Sequence, residues 1–132
     1  MIDKLRLARQ LTEAAEQQAV ELGINVATTV MDDAGNLIHF SRMDGTQLAS
    51  SIISQGKAYS AVAFRRPTQS MYEVSQPGAT GYALQAIDSR FVFAGGGMPI
   101  FDGDVLVGGI GISGGTAEQD QECAEAALAA VE

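Results

Sequence analysis

Two pairs of apolar, β-branched runs are joined by connections of only two to four residues, and this excludes most architectures at once. Asn25–Asp32 leads through Asp33-Ala34-Gly35-Asn36 into Leu37–Met43, and Met98–Phe101 leads through Asp102-Gly103-Asp104 into Val105–Ile112. Connections this short join antiparallel neighbours, because a parallel pair needs a crossover of about a dozen residues or more. Gly35 and the Asp-Gly step at 102–103 supply turn residues that tolerate positive φ.

Helical spacing fills the rest of the chain. Ile2, Leu5, Ala8, Leu11, Ala15, Ala19 and Leu22 recur at three- and four-residue intervals, which predicts a first helix stopped by Gly23. A second helix, rich in Ala, Ser and Ile, runs from Thr46 to Phe64 and ends before Pro67; Thr68 can cap a short helix through Val74. A short helical piece is read at Tyr82–Ile87, a strand at Phe91–Ala94, and a last helix at 117–131 with Thr116 as its cap. The expected order is α-β-β-α-α-β-β-β-α, an α/β fold of the α+β kind in which helices cover the faces of one antiparallel sheet.

With 132 residues and 46% of them hydrophobic, the chain is expected to form one domain over 1–132. Sixteen acidic residues against eight basic ones give a formal charge of −8, which repels phosphate backbones and anionic lipid. Neither nucleic acid nor membrane is an expected partner. The N-terminal segment is amphipathic and mixed in charge rather than a signal peptide, so the expectation is a soluble, cytoplasmic protein. The single cysteine, Cys123, lies among alanines and reads as a buried, inert thiol.

The glycines carry the most information about a site. Gly95-Gly96-Gly97 precedes Met98-Pro99, and Gly108, Gly109, Gly111, Gly114 and Gly115 run along the last strand into the last helix. Strand glycine either packs on a neighbouring backbone or lines a pocket, and both readings stand. Ser113-Gly114-Gly115-Thr116 also opens a helix, whose free amides suit a carboxylate or phosphate. The spacing there fits neither a nucleophile elbow nor a dinucleotide fingerprint.

Three charged or titratable residues join this set. His39, the only histidine, excludes a histidine-based metal cluster and reads as a strand residue sharing a face with Leu37 and Ser41. Lys57, among small residues on the second helix, can anchor an anion or move a proton. Arg42, beside Asp44, either pairs with an acid or holds the turn. Lys57, Arg65 and Arg66 form a basic cluster that is also readable as a solvated helix face.

Read in order, Thr29-Val-Met-Asp-Asp-Ala-Gly-Asn-Leu37, Arg42-Met-Asp-Gly45, Lys57-Ala58 with Pro67-Thr68, Gly95-Gly-Gly-Met-Pro-Ile100, and Val107-Gly-Gly-Ile-Gly-Ile-Ser-Gly-Gly115 with Asp120 resemble the GlcG/HbpS family. That family includes the C-terminal domain of PduO-type proteins. The resemblance implies a profilin-like fold with a five-stranded antiparallel sheet flanked by helices, and assembly into tetramers or octamers. It also implies an association with heme binding or degradation, with corrinoid-related operons, and with glycolate or diol metabolism. The first helix here carries no histidine for a heme iron, which leaves His39, a tyrosine (Tyr59, Tyr72 or Tyr82) or a methionine.

Three functions are compatible with these residues. The first is a binding protein holding heme, a corrinoid or a related metabolite in a glycine-lined pocket built from His39, Arg42, Lys57, Gly95, Gly96, Gly97, Pro99, Ser113, Gly114 and Gly115. The second is an enzyme acting on a small organic acid or diol-derived compound, with Lys57 binding a carboxylate while His39 or Asp44 moves a proton. The third is an oligomeric accessory protein that associates through Ala-rich helix faces and needs no ligand.

Overall fold

The computed structural model describes residues 2–132. Helix α1 (Lys4–Leu22) begins where the Asp3 carboxylate accepts the Arg6 N–H and ends at Gly23, whose left-handed φ of 73° turns the chain toward the sheet. Strands β1 (Ala27–Asp32) and β2 (Leu37–Arg42) form the first hairpin. Helices α2 (Leu48–Phe64) and α3 (Thr68–Val74) follow, then a 3-10 turn at Tyr82–Ala86. Strands β3 (Gly97–Asp102) and β4 (Val105–Ser113) make the second hairpin, and α4 (Ala117–Ala129) closes the order.

All pairings are antiparallel, in the order β2-β1-β4-β3. Helix α2 lies across one face, over β1, β4 and β3, while α1 and α4 pack on each other and on the opposite face. Strand β1 is therefore buried on both sides: Thr29 and Met31 face α2, and Val30 joins Leu11, Ala15, Ile110, Ile112 and Ala124 in the larger core. A strand covered on both faces needs no polar alternation, which is why 27–31 reads as a continuous apolar and threonine run.

The sheet has four strands rather than the five expected, because Phe91–Ala94 does not pair. Its main-chain groups are taken by helix side chains instead. The Val92 N–H donates to Ser60 Oγ at 2.9 Å, and the Ala94 carbonyl accepts from Thr68 Oγ1 at 2.5 Å. Phe91 and Phe93 meet Phe64 edge-on, at centroid distances of 5.0 and 5.4 Å, so aromatic contact holds the segment along α2.

Each hairpin carries an irregularity. Val30 pairs with His39 and Met31 with Leu37, leaving Ile38 as an extra residue in β2; Ile100 pairs with Gly108 and Phe101 with Leu106, leaving Val107 extra in β4. The first of these corrects the expected sharing of a face by His39 and Leu37. His39 and Ser41 turn toward α1, whereas Leu37, opposite Met31, lies on the α2 side and is exposed. Strands β2 and β3 are the sheet's edges, and Pro99 sits within β3.

Candidate functional site

Lys57 projects from the middle of α2 into the sheet rather than into a cleft. Its ammonium donates to the Ile112 carbonyl at 2.8 Å and to Asp120 Oδ2 at 2.9 Å, and Asp120 Oδ1 accepts the Gly115 N–H at 2.9 Å. Both side chains are almost wholly buried, 4% and 3% exposed. Burial pushes the Lys57 amine below its ordinary value, and the adjacent Asp120 charge opposes that shift. The carboxylate that Lys57 binds is thus the protein's own, and the pair fastens α2, β4 and α4 together.

The glycine stretches surround this pair. A Cβ at Gly96 would stand 2.9 Å from the Lys57 nitrogen and 2.5 Å from the Ile112 carbonyl oxygen, so the missing side chain makes room for the ammonium. At Gly97 a Cβ would come within 2.6 Å of the Lys57 carbonyl oxygen, at Gly109 within 2.8 Å of that of Ala58, and at Gly111 it would overlap the Ser54 carbonyl. These glycines let α2 lie backbone-close on β3 and β4. Their amides are satisfied as well: Gly96 N–H donates to Gln121 Oε1 at 3.0 Å and Gly97 N–H to Thr68 Oγ1 at 2.9 Å.

The start of α4 is similarly occupied. Thr116 and Gln119 form a reciprocal capping box, and Asp120 takes the Gly115 amide, so the donors read as a carboxylate or phosphate site serve the chain itself. Gly114, at the strand exit, abuts the Asn25 carbonyl. Ser113 and Pro99 are buried in ladder positions opposite Ala27 and Gly109. Among the glycines proposed for a pocket, Gly95 borders a hollow, about 480 Å³ in volume, with Tyr72 and Glu73 of α3 and Ala117 and Glu118 of α4.

His39 lies on the α1 side of the sheet, its Nδ1 3.3 Å from Thr12 Oγ1, whereas Lys57 enters from the α2 side. The sheet separates the two. Arg42 holds the turn after β2 by donating to the Thr46 carbonyl at 3.1 Å, and Asp44 is exposed. Among the described residues no group of three His, Cys, Asp or Glu side chains is placed to hold a metal, and no helix is long and apolar enough to cross a membrane.

A second hollow, of about 290 Å³, lies between α2 and the segment leading to β3. Met31, Ile52, Gly56 and Val92 give it apolar walls, with Tyr59 and Arg90 beside them. The Arg90 guanidinium carbon stands 4.0 Å over the Tyr59 ring. Arg90 also clasps Asp88 through Nε at 2.9 Å and Nη2 at 2.7 Å, which holds the Asp88 carboxyl down at about 2. Tyr59 is half-buried and stacks at 6.1 Å on Phe91, the residue that follows Arg90.

The sequence signature of the family described as "Haem degrading protein HbpS-like" matches residues 4–129. The chain belongs to that family. A 15.0 kDa protein from the dhaT-dhaS intergenic region of Citrobacter freundii is 39% identical over 125 residues, 94% of this chain and 88% of that protein. The corrinoid adenosyltransferase PduO of Salmonella typhimurium is 38% identical over 92% of this HbpS-like chain, which spans only 37% of PduO. The crystal structure of a PduOC–heme complex superposes with a TM-score of 0.92 at 37% identity, covering 95% of this chain and 91% of that one.

Sequence reasoning placed Lys57, Gly96 and Gly97 together but missed three of the side chains that complete their surroundings. Asp120 stood as a motif residue, Thr68 as a helix cap, and Gln121 was not singled out. A buried lysine on a small-residue helix demands a carboxylate, and acids in the last helix were the available signal. Tyr59 was named for heme, and Arg90 not at all, since their proximity depends on how 88–92 folds back along α2.

Proposed function

We propose that this HbpS-like chain is a small-molecule-binding protein whose ligand is a heme-class tetrapyrrole. The observation that carries this reading is the near-complete superposition on a domain crystallised with heme. The hollow between α2 and the 88–92 segment is about 290 Å³, less than a whole macrocycle occupies, and offers apolar walls to one edge of such a group. The hollow beside Gly95 suits it less, because Glu73 and Glu118 on its rim repel carboxylates. When bound, heme would supply redox and oxygen chemistry, while the chain would bind, orient and shield it.

Titration of the purified protein with hemin tests the proposal. Saturable growth of a shifted Soret band at a defined stoichiometry is expected; a shift that never saturates would overturn it. Cobalamin, titrated in parallel, separates heme from the corrinoid alternative.

Self-association is a second proposal with its own observation. Helix α2 bears no charged residue other than the buried Lys57, and it exposes Leu48 (81%) and Ile52 (74%) one turn apart. On a chain of net charge −8, a neutral apolar face is where two copies meet with least repulsion. Light scattering that reads a tetramer or octamer would support this, and a monomer at high concentration would refute it.

A further inference from the structure

The chain's cations are unequally matched, and one of them is left beside an apolar hollow. Lys4 pairs with Asp33, Lys57 with Asp120 and Arg90 with Asp88, while Arg42 donates to the Thr46 carbonyl. Arg65 borders a hollow that Asp33 also lines. Arg66 makes no ion pair among the described residues, although acids outnumber bases sixteen to eight.

Arg66 lines a hollow of about 380 Å³ between the end of α2, helix α3 and the 3-10 turn. Phe64, Met71, Val74 and Leu84 give it apolar walls, and no carboxylate is among its lining residues. Met71 and Val74, three apart, share one face of α3, whereas Glu73 lines the hollow beside Gly95 on another. Gly81 draws the 3-10 turn onto the end of α3: its N–H donates to the Val74 carbonyl at 2.8 Å, and a Cβ there would stand 2.7 Å from the same oxygen.

The backbone on either side of Arg66 is set. Arg65 ends α2 in the left-handed region, with φ of 56°, and is the only non-glycine among the described residues with a positive φ. Pro67 follows, and its ring confines the preceding residue to extended conformations. Arg66 is thus held at the rim by its neighbours rather than by an acid. At ~30 Å³ for each water-sized group, the hollow admits roughly a dozen non-hydrogen atoms, and its size falls within the ~300–1,000 Å³ of small-ligand sites.

We infer that this hollow binds a short aliphatic monocarboxylate, with the tail on Phe64, Met71, Val74 and Leu84 and the carboxylate on the Arg66 guanidinium. A guanidinium suits a carboxylate because its planar fork can donate two parallel hydrogen bonds. The other hollows do not offer this combination: Arg90 is engaged by Asp88, and acids stand beside Gly95. The site is separate from the tetrapyrrole reading.

Isothermal titration calorimetry of the whole chain with octanoate, butyrate, 1-octanol and octylamine, in the absence of hemin, tests the inference. Octanoate is expected to saturate one site per chain and to bind more tightly than butyrate, by up to about fourfold for each methylene that enters the hollow. Octanol and octylamine should bind about tenfold or more weakly, since neither accepts a charge-assisted hydrogen bond from the arginine. Arg66→Gln should weaken octanoate about tenfold or more without changing circular dichroism, because Arg66 is exposed. Arg65→Gln, the same loss of charge one residue away, should bind as wild type does, and Leu84→Asp should abolish binding by placing an acid in the wall. Octanoate that fails to saturate, octanol that binds equally well, or equal behaviour of Arg65→Gln and Arg66→Gln overturns the inference. A hemin titration disturbed by Arg66→Gln would merge this hollow with the tetrapyrrole site and overturn it as well, while leaving the heme reading in place.

Discussion

Lys57 and Asp120 meet at 2.9 Å in a place where both side chains are almost wholly buried. The ammonium also holds the end of β4 through the Ile112 carbonyl, and the carboxylate holds the Gly115 amide at the entrance to α4. One contact thus joins both faces of the sheet.

Removing one partner strands the other charge in the interior. Lys57→Met or Asp120→Ala is expected to lower the unfolding free energy by about 3–5 kcal/mol, whereas Lys57→Met combined with Asp120→Leu should recover much of that loss. Urea titration of the three variants measures this. Single substitutions costing less than about 1 kcal/mol, the range of exposed pairs, would show that the charges are solvated after all.

A different buried group stands out because nothing satisfies it. Thr28 is fully buried, and its Oγ1 has no hydrogen-bond partner. Valine has nearly the same shape without the hydroxyl, so Thr28→Val should raise stability by about 1 kcal/mol, within the usual cost of an unpaired buried hydroxyl. A destabilised Thr28→Val protein, measured by the same urea titration, would reveal a hidden partner for that oxygen.

Cys123 makes stability depend on alkaline pH. Burial raises its thiol from 9.0 to about 11. Below pH 9 both folded and unfolded chains keep the proton; above it the unfolded chain releases the proton while the native chain retains it. The stability associated with this thiol is therefore lost as pH rises from 9 toward about 11. Cys123→Ala removes that dependence, and subtracting the two stability curves isolates it from Lys57 and the tyrosines. Parallel curves would contradict the shifted thiol.

The exposed stripe on α2 can be tested by charge. Ile52→Glu places an acid at the centre of a face that otherwise carries none, and on a chain already at −8 it should shift the mass seen by light scattering to that of a single chain. Circular dichroism should not change, because Ile52 is 74% exposed. An assembly that survives the substitution would have to use another face.

The hairpins, the helix order and the stopping points at Gly23 and Pro67 were legible because they depend on local φ preference and short-range periodicity. Phe91–Ala94 has the composition of a strand, yet its main-chain groups are taken by Ser60 and Thr68, and no local rule contains those partners. The extra residue at Ile38 was also invisible, so alternation assigned Leu37 to the wrong face. The glycines of β4 were open to two readings, backbone packing or the lining of a pocket. What approaches is the backbone of α2, a fact that sequence spacing does not carry. Tyr59 and Arg90 lie on segments 31 residues apart and meet only because the aromatic cluster folds one along the other.

Pro99 has a consequence beyond its own strand. It lies on an outer margin of the sheet and has no N–H to offer a visiting strand, while the opposite margin is broken at Ile38. Sheet extension from chain to chain is thereby discouraged at both ends. Contact between copies, where it forms, is left to side chains rather than to shared ladder hydrogen bonds, which guards against fibrous growth.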